Sequence, residues 1–348
     1  MRASSSSLSS LPPARKLLNW YSGHRRHLPW RVEPGEPADP YRVWLSEIML
    51  QQTVVATVKP YYAKFLAAYP TVQELATASV EDVCALWAGL GYYARARNLH
   101  KCAVAVAELG GFPNRIEVLR TLPGIGPYTA NAVGAIAFGQ KVLPVDGNVE
   151  RVAARLFAIT APLPGAKKTI AAAAARLMED EDAQAAPGDF AQAMFDLGAT
   201  VCVPKSPNCF ICPWSTHCQA KATGLATTLP VKAKKAERPR RVGSVYVLLD
   251  RQDNVLLLRR PPRGLLGGML VLPEVPPVKA RWRHAGAVEH VFTHFALTLW
   301  VHAARVDVMP EEALRAPVGS AALPSVMRKA LDAGCRALNH ADNGKRSP

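Results

Sequence analysis

The residues best suited to chemistry are two acids, Glu47 and Asp146, and a group of four cysteines between positions 202 and 218. Glu47 stands in a helical pattern of mostly apolar residues, so it is either a surface carboxylate or a buried acid with a raised pKa. The local pattern favours the surface position, because glutamate is seldom fully buried. Asp146 precedes a predicted helix, where aspartate usually acts as an N-cap.

The four cysteines follow the spacing Cys-x6-Cys-x2-Cys-x5-Cys, at Cys202, Cys209, Cys212 and Cys218. Four thiols in so short a stretch predict a metal site, either an iron–sulfur cluster or structural zinc. Zinc sites more often contain two close Cys-x-x-Cys pairs, and only one such pair is present here, so the spacing favours an iron–sulfur cluster. The chain has seven cysteines, and the other three are scattered, so a disulfide framework is not expected.

A glycine-rich segment, Leu-Pro-Gly-Ile-Gly-Pro-Tyr-Thr, occupies residues 122–129, before Asp146. Its two prolines and two glycines exclude a continuous helix, whereas residues 114–120 and 129–138 have helical patterns. The segment is therefore predicted to be a helix–hairpin–helix. Free amides at the start of its second helix suit an anion such as a DNA phosphate, and an ordinary turn between packed helices is the alternative.

Composition places these motifs in a basic globular protein of two domains. The chain has 348 residues, of which 49% are hydrophobic and 20% charged, and its net charge is +15. A charge of this size favours a polyanionic partner, with nucleic acid as the first candidate. No apolar stretch is long enough to span a bilayer, so no membrane association is expected.

Helical and strand patterns divide the chain. Residues 1–14 are expected to be disordered, 15–221 helical, 222–241 a basic linker, 242–337 an α/β domain and 338–348 a disordered tail. Helices are expected at 15–23, 41–50, 51–69, 80–87, 94–109, 149–159, 167–179, 189–200 and 323–333, in addition to the two of the helix–hairpin–helix. Strands are expected at 242–250, 255–259, 269–272, 287–292 and 296–306.

These motifs together resemble those of the helix-hairpin-helix DNA glycosylases of the endonuclease III superfamily, and more narrowly the MutY-type adenine DNA glycosylases. The matching segments are residues 44–53, 89–100, 122–129 and 146–148 and the cysteine spacing, within a resemblance over about residues 15–305. The resemblance implies an all-helical domain of two lobes with the active site between them and a [4Fe-4S] cluster in one lobe. It also implies a smaller Nudix-like α/β domain at the carboxy terminus.

The resemblance implies a role for each matching residue of the active site. Asp146 would be the catalytic aspartate that the superfamily shares, and Glu47 the general acid and base that is particular to adenine removal. Asn148 would help to hold the site, and Tyr128 would line it. Members that also cut the strand carry a lysine at the position of Tyr128, so a monofunctional glycosylase is expected.

The resemblance also implies DNA contacts. Gln52 and Tyr92 match residues that enter the base stack where the adenine leaves it. Four further contacts are expected, from Leu50, Gly124, Gly126 and Lys205. In the second domain, the match to the loop that reads 8-oxoguanine consists of Phe292, Thr293 and His294. The family usually has serine in place of this threonine, and the glutamate-rich box needed for nucleotide hydrolysis is absent, so this domain is expected to bind and not to hydrolyse.

The implied substrate is double-stranded DNA with adenine opposite 8-oxoguanine or guanine. Adenine leaves readily only when protonated, so one carboxyl group must stay protonated and the other must stay ionised beside the developing sugar cation. The apolar neighbours of Glu47 suit the first role, and the helix start at Asp146 is expected to lower its pKa for the second. A monomer is expected, in the bacterial cytoplasm at the nucleoid. The alternatives are an endonuclease III-like enzyme for oxidised pyrimidines and a non-catalytic iron–sulfur DNA-binding protein.

Overall fold

The computed structural model describes residues 11–233, 238–261, 264–292, 294–311, 313–321 and 323–343. The chain divides between residues 234 and 235 into two compact units. The first unit is helical and the second contains a sheet, as the sequence predicts. No helix in these ranges is long and apolar enough to cross a bilayer.

The first unit contains thirteen described α-helices, and each helix expected in this part of the sequence is present with ends shifted by a few residues. Three short helices, α4, α11 and α13, are not among the expected ones. The helices are α1 (Ala14–His24), α2 (Pro40–Leu50), α3 (Val55–Ala68), α4 (Val72–Thr77), α5 (Val80–Leu86), α6 (Ala94–Glu108), α7 (Ile116–Leu119), α8 (Pro127–Phe138), α9 (Gly147–Leu156), α10 (Lys167–Ala175), α11 (Glu181–Ala185), α12 (Pro187–Asp196) and α13 (Gln219–Ala222). A 3-10 turn, Arg176–Glu179, follows α10, and a π-helical turn, Leu197–Val201, follows α12.

Local signals fix the ends of the helices around the site. The Asp39 carboxylate accepts a hydrogen bond from the Tyr41 amide and caps α2, which begins with Pro40. Gly139 takes a left-handed conformation, φ 63°, and ends α8. Both signals lie in the local sequence, an aspartate before proline at the start of α2 and a glycine after the end of α8.

Two hydrophobic cores lie in the first unit, and α8 contributes to both. One core is built mainly from α2–α6 and includes Ala130 and Val133 of α8. The other is built from α1 and α9–α12 and includes Ala135 of α8. Because both sides of this helix are covered, it is apolar over most of its surface. The helix that follows the glycine hairpin therefore marks the boundary between two lobes.

The second unit is a mixed sheet covered on one face by a helix. Its strands are β1 (Arg240–Leu249), β2 (Asn254–Arg259), β3 (Leu270–Val271), β4 (Arg283–Val291), β5 (Ala296–Arg305) and β6 (Leu314–Pro317), and its final helix is α14 (Ser325–Asn343). The sheet order is β3-β2-β1-β5-β4 with β6 beside β2, and β1 and β5 run parallel. All five expected strands are present. The short β6 is not among the expected ones, and β4 begins four residues before the expected start.

The final helix is longer than the sequence predicts. It continues to Asn343, past the expected end at residue 333 and into the segment expected to be a disordered tail from 338. Leu338 is buried in the core of this unit, so the apolar stripe of the helix continues beyond the predicted end. Gly334 makes the close packing possible, because a Cβ atom there would lie 2.7 Å from a methyl carbon of Val247.

Candidate active site

A cavity of about 670 Å³ opens between α2, α8 and the start of α9. It brings together Glu47, Tyr128 and Asp146, three of the four residues that the sequence assigns to catalysis. Four residues predicted to contact DNA also line it, namely Leu50, Gln52, Gly124 and Gly126. Concave sites with a few convergent polar groups are where ligands usually bind, so this cavity is the candidate active site.

Glu47 lies in the last turn of α2 and is 7% exposed. Its pKa is raised from 4.5 to about 7, mainly by burial; the charge of Asp146 contributes to the rise, and a hydrogen bond from Tyr128 and the charge of Arg31 oppose it. The surface position that the local pattern favours is wrong, because α3, α6 and α8 all pack against α2. The raised pKa that the family resemblance requires is what the structure shows.

Asp146 caps α9 with both of its carboxylate oxygens. Oδ1 accepts hydrogen bonds from the amides of Asn148 and Val149 at 2.9 and 2.8 Å, and Oδ2 accepts one from Nδ2 of Asn148 at 2.8 Å. Burial nonetheless raises the pKa of Asp146, although these hydrogen bonds oppose the rise. The expected lowering of this pKa is therefore wrong: the amide support is present, but the loss of water around the carboxylate outweighs it.

Tyr128 lies in the first turn of α8, between the two acids. Burial and the charges of Glu47 and Asp146 raise its pKa well above 10, so its hydroxyl remains protonated and acts as a hydrogen-bond donor. The ring packs against Phe195 of α12, with 6.4 Å between the centroids. Tyr128 therefore joins the two lobes at the floor of the cavity.

Two polar residues of the cavity wall, Arg31 and Gln192, were not identified from the sequence. The Arg31 guanidinium binds the Asp196 carboxylate through two hydrogen bonds, of 2.7 and 2.9 Å. Burial raises the pKa of Asp196, but this pairing and the hydrogen bonds from Arg26 outweigh it and lower the pKa overall. The sequence carries no local signal for this pair, because its partners are 165 residues apart.

Helix α9 links Asp146 to the cysteine segment. Asn148, already bonded to Asp146, accepts a hydrogen bond at its Oδ1 from Nη2 of Arg151 at 2.8 Å. The Nε of Arg151 donates to the carbonyl oxygen of Cys202 at 2.7 Å. Gly198 permits this approach, because a Cβ atom there would lie 2.5 Å from Cβ of Asn148. The helical spacing from residue 148 to 151 to 155 is a signal that could have identified both arginines.

The four cysteines are half-buried in the segment that follows the π-helical turn. Burial raises the pKa of Cys212, and interactions with the other three thiols raise it further, to about 11, so the four sulfurs are neighbours. In the described ranges, no three His, Cys, Asp or Glu side chains converge closely enough for one metal ion. Four cysteine thiolates are a ligand set that both an iron–sulfur cluster and structural zinc use.

Arg155 supplies an independent test of what the cysteines hold. It is 1% exposed, and it donates to the carbonyl oxygens of Cys202, Val203, Pro204 and Leu229 and to Sγ of Cys202 at 3.3 Å. No carboxylate pairs with it among the described side chains. A buried cation without an anion is costly. An anionic metal–thiolate group at Cys202 would balance it, so the residues present fit an iron–sulfur cluster.

The two residues expected to enter the base stack lie on exposed turns. Gln52 and Tyr92 both have left-handed backbone conformations, with φ of 58° and 49°, and Tyr92 is 55% exposed. Lys205 is exposed in the cysteine segment, away from the cavity lining. Gly124, φ 76°, packs closely on α6, since a Cβ atom there would lie 2.8 Å from Cβ of Asn98.

The predicted 8-oxoguanine loop belongs to the second unit. Phe292 is half-buried and stacks on Phe295 with 4.9 Å between the ring centroids, and His290 lies against its edge at 4.6 Å. His294 is exposed, and Thr293 lies outside the described residues. The phenylalanine thus packs into the core of its unit, while the neighbouring histidine faces solvent.

Comparison with known proteins places this geometry in a family. The sequence model of the HhH-GPD superfamily base excision DNA repair proteins matches residues 45–178, and that of the NUDIX domain matches residues 244–333. Human adenine DNA glycosylase is 37% identical in an alignment of 361 positions that covers 82% of this chain and 65% of the human protein. The mouse adenine DNA glycosylase is 36% identical in an alignment of 378 positions that covers 87% of this chain and 72% of the mouse protein. The chain belongs to the adenine DNA glycosylase family.

Membership in this family makes the protein a DNA repair glycosylase, an enzyme that acts on N-glycosyl bonds, and the resemblance stated from the sequence is confirmed. A solved structure of a thermostable thymine-DNA glycosylase is similar, with a TM-score of 0.52 and 28% identity over 60% of this chain and 95% of that one. The superfamily match contains Glu47, Tyr128 and Asp146 but ends before the cysteine segment.

Replacing Glu47 in this adenine DNA glycosylase homologue should change how stability depends on pH. The folded protein holds a proton on Glu47 up to about pH 7, whereas the unfolded chain releases it near the ordinary pKa of 4.5. The free energy of unfolding of the wild type should therefore fall between these two values, and Glu47→Gln should remove that fall. The variant should gain about 3 kcal/mol relative to the wild type between about pH 5 and pH 8, measured by urea unfolding.

The matched control for this measurement is Glu117→Gln, because the side chain of Glu117 is 76% exposed. This exposed substitution should change the free energy of unfolding by less than about 0.5 kcal/mol. An equal stability difference for Glu47→Gln at both pH values would show that Glu47 titrates as an ordinary surface acid.

Proposed function

We propose that this protein hydrolyses the N-glycosidic bond of adenine mispaired with 8-oxoguanine, or with guanine, in double-stranded DNA. The observation that carries the proposal is a buried acid with a pKa of about 7, Glu47, beside a second carboxyl group held by three hydrogen bonds, Asp146. The adenine DNA glycosylase relatives support adenine as the base removed.

The two acids divide the chemistry between them. Glu47 is protonated in about half of the molecules near neutral pH, which is the state from which an acid delivers a proton best. It protonates the leaving adenine, at N7 in our proposal, while positive charge develops on the sugar. Asp146 in its ionised form stabilises that charge, and its bonds from Asn148 and Val149 hold the carboxylate in place. Glu47, now deprotonated, then activates the attacking water.

The proposed reaction requires the adenine to leave the helix. Extrusion of a base costs a few kcal/mol, and less at a mismatch. Gln52 and Tyr92, on exposed turns, would fill the gap in the stack, and the amides of the hairpin at Gly124 and Gly126 would bind the backbone phosphate. The net charge of +15 would supply salt-dependent affinity for duplex DNA.

The second unit and the oligomeric state complete the proposal. The Nudix-like unit would read 8-oxoguanine on the opposite strand through the loop of residues 292–294, with exposed His294 as the polar contact. The protein would act as a monomer on the bacterial chromosome in the cytoplasm. The four cysteines would hold a [4Fe-4S] cluster that fixes the loop carrying Lys205 near the DNA backbone.

A single-turnover assay tests the proposed activity. Duplex DNA with one adenine opposite 8-oxoguanine should yield strand breaks after alkali, whereas an undamaged A·T duplex should not. Glu47→Gln should lower the rate by at least about 100-fold, the lower end of the usual contribution of a general acid. Tight binding of the lesion duplex without base release from the wild type would move the function to recognition or to another lesion.

The same duplex tests whether the protein cuts the strand. No amine stands at Tyr128, so a Schiff base cannot form there and breaks should require alkali. Borohydride should trap little protein on the substrate. The control is a strand-cutting glycosylase with lysine at this position, assayed on its own substrate, and trapping of this protein at equal yield would falsify the monofunctional assignment.

Loss of the buried cation should weaken the proposed cluster. Arg155→Met removes the charge beside Cys202, so the purified variant should contain less iron and acid-labile sulfide per chain and absorb less visible light than the wild type. Arg155→Lys loses several of the hydrogen bonds but keeps the positive charge, so it should retain more iron than Arg155→Met. Arg176→Met, on an arginine side chain that is 52% exposed, is the matched control. Full iron content in Arg155→Met would contradict the assignment of Arg155 as a counter-cation.

A further inference from the structure

Arg95 lies where the end of α2 meets the turns of Gln52 and Tyr92. It belongs to the first turn of α6 and is half-buried. Its Nη1 donates hydrogen bonds to the carbonyl oxygens of Ile48 and Met49, both at 3.0 Å. These carbonyls belong to the last turn of α2, where the helix has no partners of its own and a cation is favourable. Arg95 thus caps the helix that carries Glu47 one residue before Ile48.

The second terminal nitrogen of the Arg95 guanidinium, Nη2, donates to the two turns that carry the proposed stacking residues. It donates to Oγ1 of Thr53 at 3.2 Å, in the turn of Gln52, and to the carbonyl oxygen of Leu90 at 3.1 Å, in the turn of Tyr92. The guanidinium also lies 5.6 Å from the centre of the Tyr92 ring. One side chain therefore touches both turns and the end of α2.

The surroundings of Arg95 provide no negative charge for its guanidinium among the described side chains. No carboxylate pairs with it among the described side chains, and its Nε has no hydrogen-bond partner. The ring of Trp87 lies 5.1 Å from the guanidinium and covers it from inside the lobe. Removing a cation from water without a counter-ion is costly, so simple stability does not explain its presence here. Its planar, forked donors instead match acceptors on three separate segments at once.

We infer that Arg95 is a positioning residue that couples the turns of Gln52 and Tyr92 to each other and to the end of the helix that carries Glu47. The inference rests on the proposed function, in which these two residues enter the base stack. When the side chains of Gln52 and Tyr92 enter the base stack, the DNA exerts a force on the two turns that carry them. A guanidinium bonded to both turns transmits that force to α2, so base extrusion and placement of the acid occur together.

The first test uses Arg95→Lys, which keeps the charge but loses the fork. With 2-aminopurine next to the target adenine, the fluorescence change that reports extrusion should become slower, and the single-turnover rate should fall by about 10-fold or more. The dissociation constant for the lesion duplex should change by less than about threefold, because the charge is retained. Lys101→Gln, on the exposed side of α6, should change neither rate. If Arg95→Lys bound the lesion duplex more weakly but extruded the base at the wild-type rate, Arg95 would be a simple DNA contact.

A double-mutant cycle tests the coupling itself. In the wild type, the effects of Gln52→Ala and Tyr92→Ala on the extrusion rate should be non-additive, because the two turns move as a unit. In Arg95→Lys, the same two effects should become additive. Additive effects in the wild type, or unchanged non-additivity in Arg95→Lys, would overturn the inference.

Hydrogen–deuterium exchange of the free protein separates this inference from the proposed function, because it needs no substrate. Arg95→Lys should speed exchange of backbone amides in both residues 48–53 and residues 89–93, and Lys101→Gln in neither. Thr53→Val removes one acceptor of the Arg95 guanidinium, and it should speed exchange in residues 48–53 more than in residues 89–93. This second variant tests the coupling if Arg95→Lys folds poorly. If the wild type released no adenine but this exchange pattern held, the proposed function would fail and the coupling would stand. Unchanged exchange in Arg95→Lys would refute the coupling whatever the enzyme does.

Discussion

The desolvation of one carboxyl group, that of Glu47, is the constraint on which the rest of the site depends. Loss of water around this carboxyl group is the largest cause of its raised pKa, and that loss requires helices packed around α2. The first lobe supplies them through α3, α6 and α8. The carbonyl oxygens at the end of α2 must then find donors other than free water, and the Arg95 guanidinium supplies them.

The position of the second acid, Asp146, depends on the amino-terminal end of α9. Asp146 is held by amides of that helix, and the same helix presents Arg151 and Arg155 to the cysteine segment on successive turns. Both arginines bind backbone carbonyls there, and Arg151 also binds Asn148. A change in the path of that segment would therefore alter the positions of Asn148 and of the Asp146 carboxylate. The cysteine segment and Asp146 are therefore connected by hydrogen bonds through side chains of α9.

Much of the fold could be predicted from the sequence, and the exceptions have physical causes. Helices such as α2 and α8 carry caps and stops within their own segments, so local patterns identify them. The short α4 has a capping box between Thr71 and Glu74, but it is too brief for a clear apolar period. The end of α14 is set by burial of Leu338 against the sheet, a contact that no local pattern contains.

The sequence by itself determined the motifs: the spacing of the four cysteines, the glycine hairpin, the acid at the start of α9 and the family to which they belong. It did so because each of these is a local arrangement of residue types. Only the tertiary structure decided that Glu47 is buried, that burial outweighs the hydrogen bonds of Asp146, and that Arg95 and Arg155 bind carbonyls instead of carboxylates. Desolvation and pairing depend on residues distant in the sequence, so their balance exists only once the chain has folded.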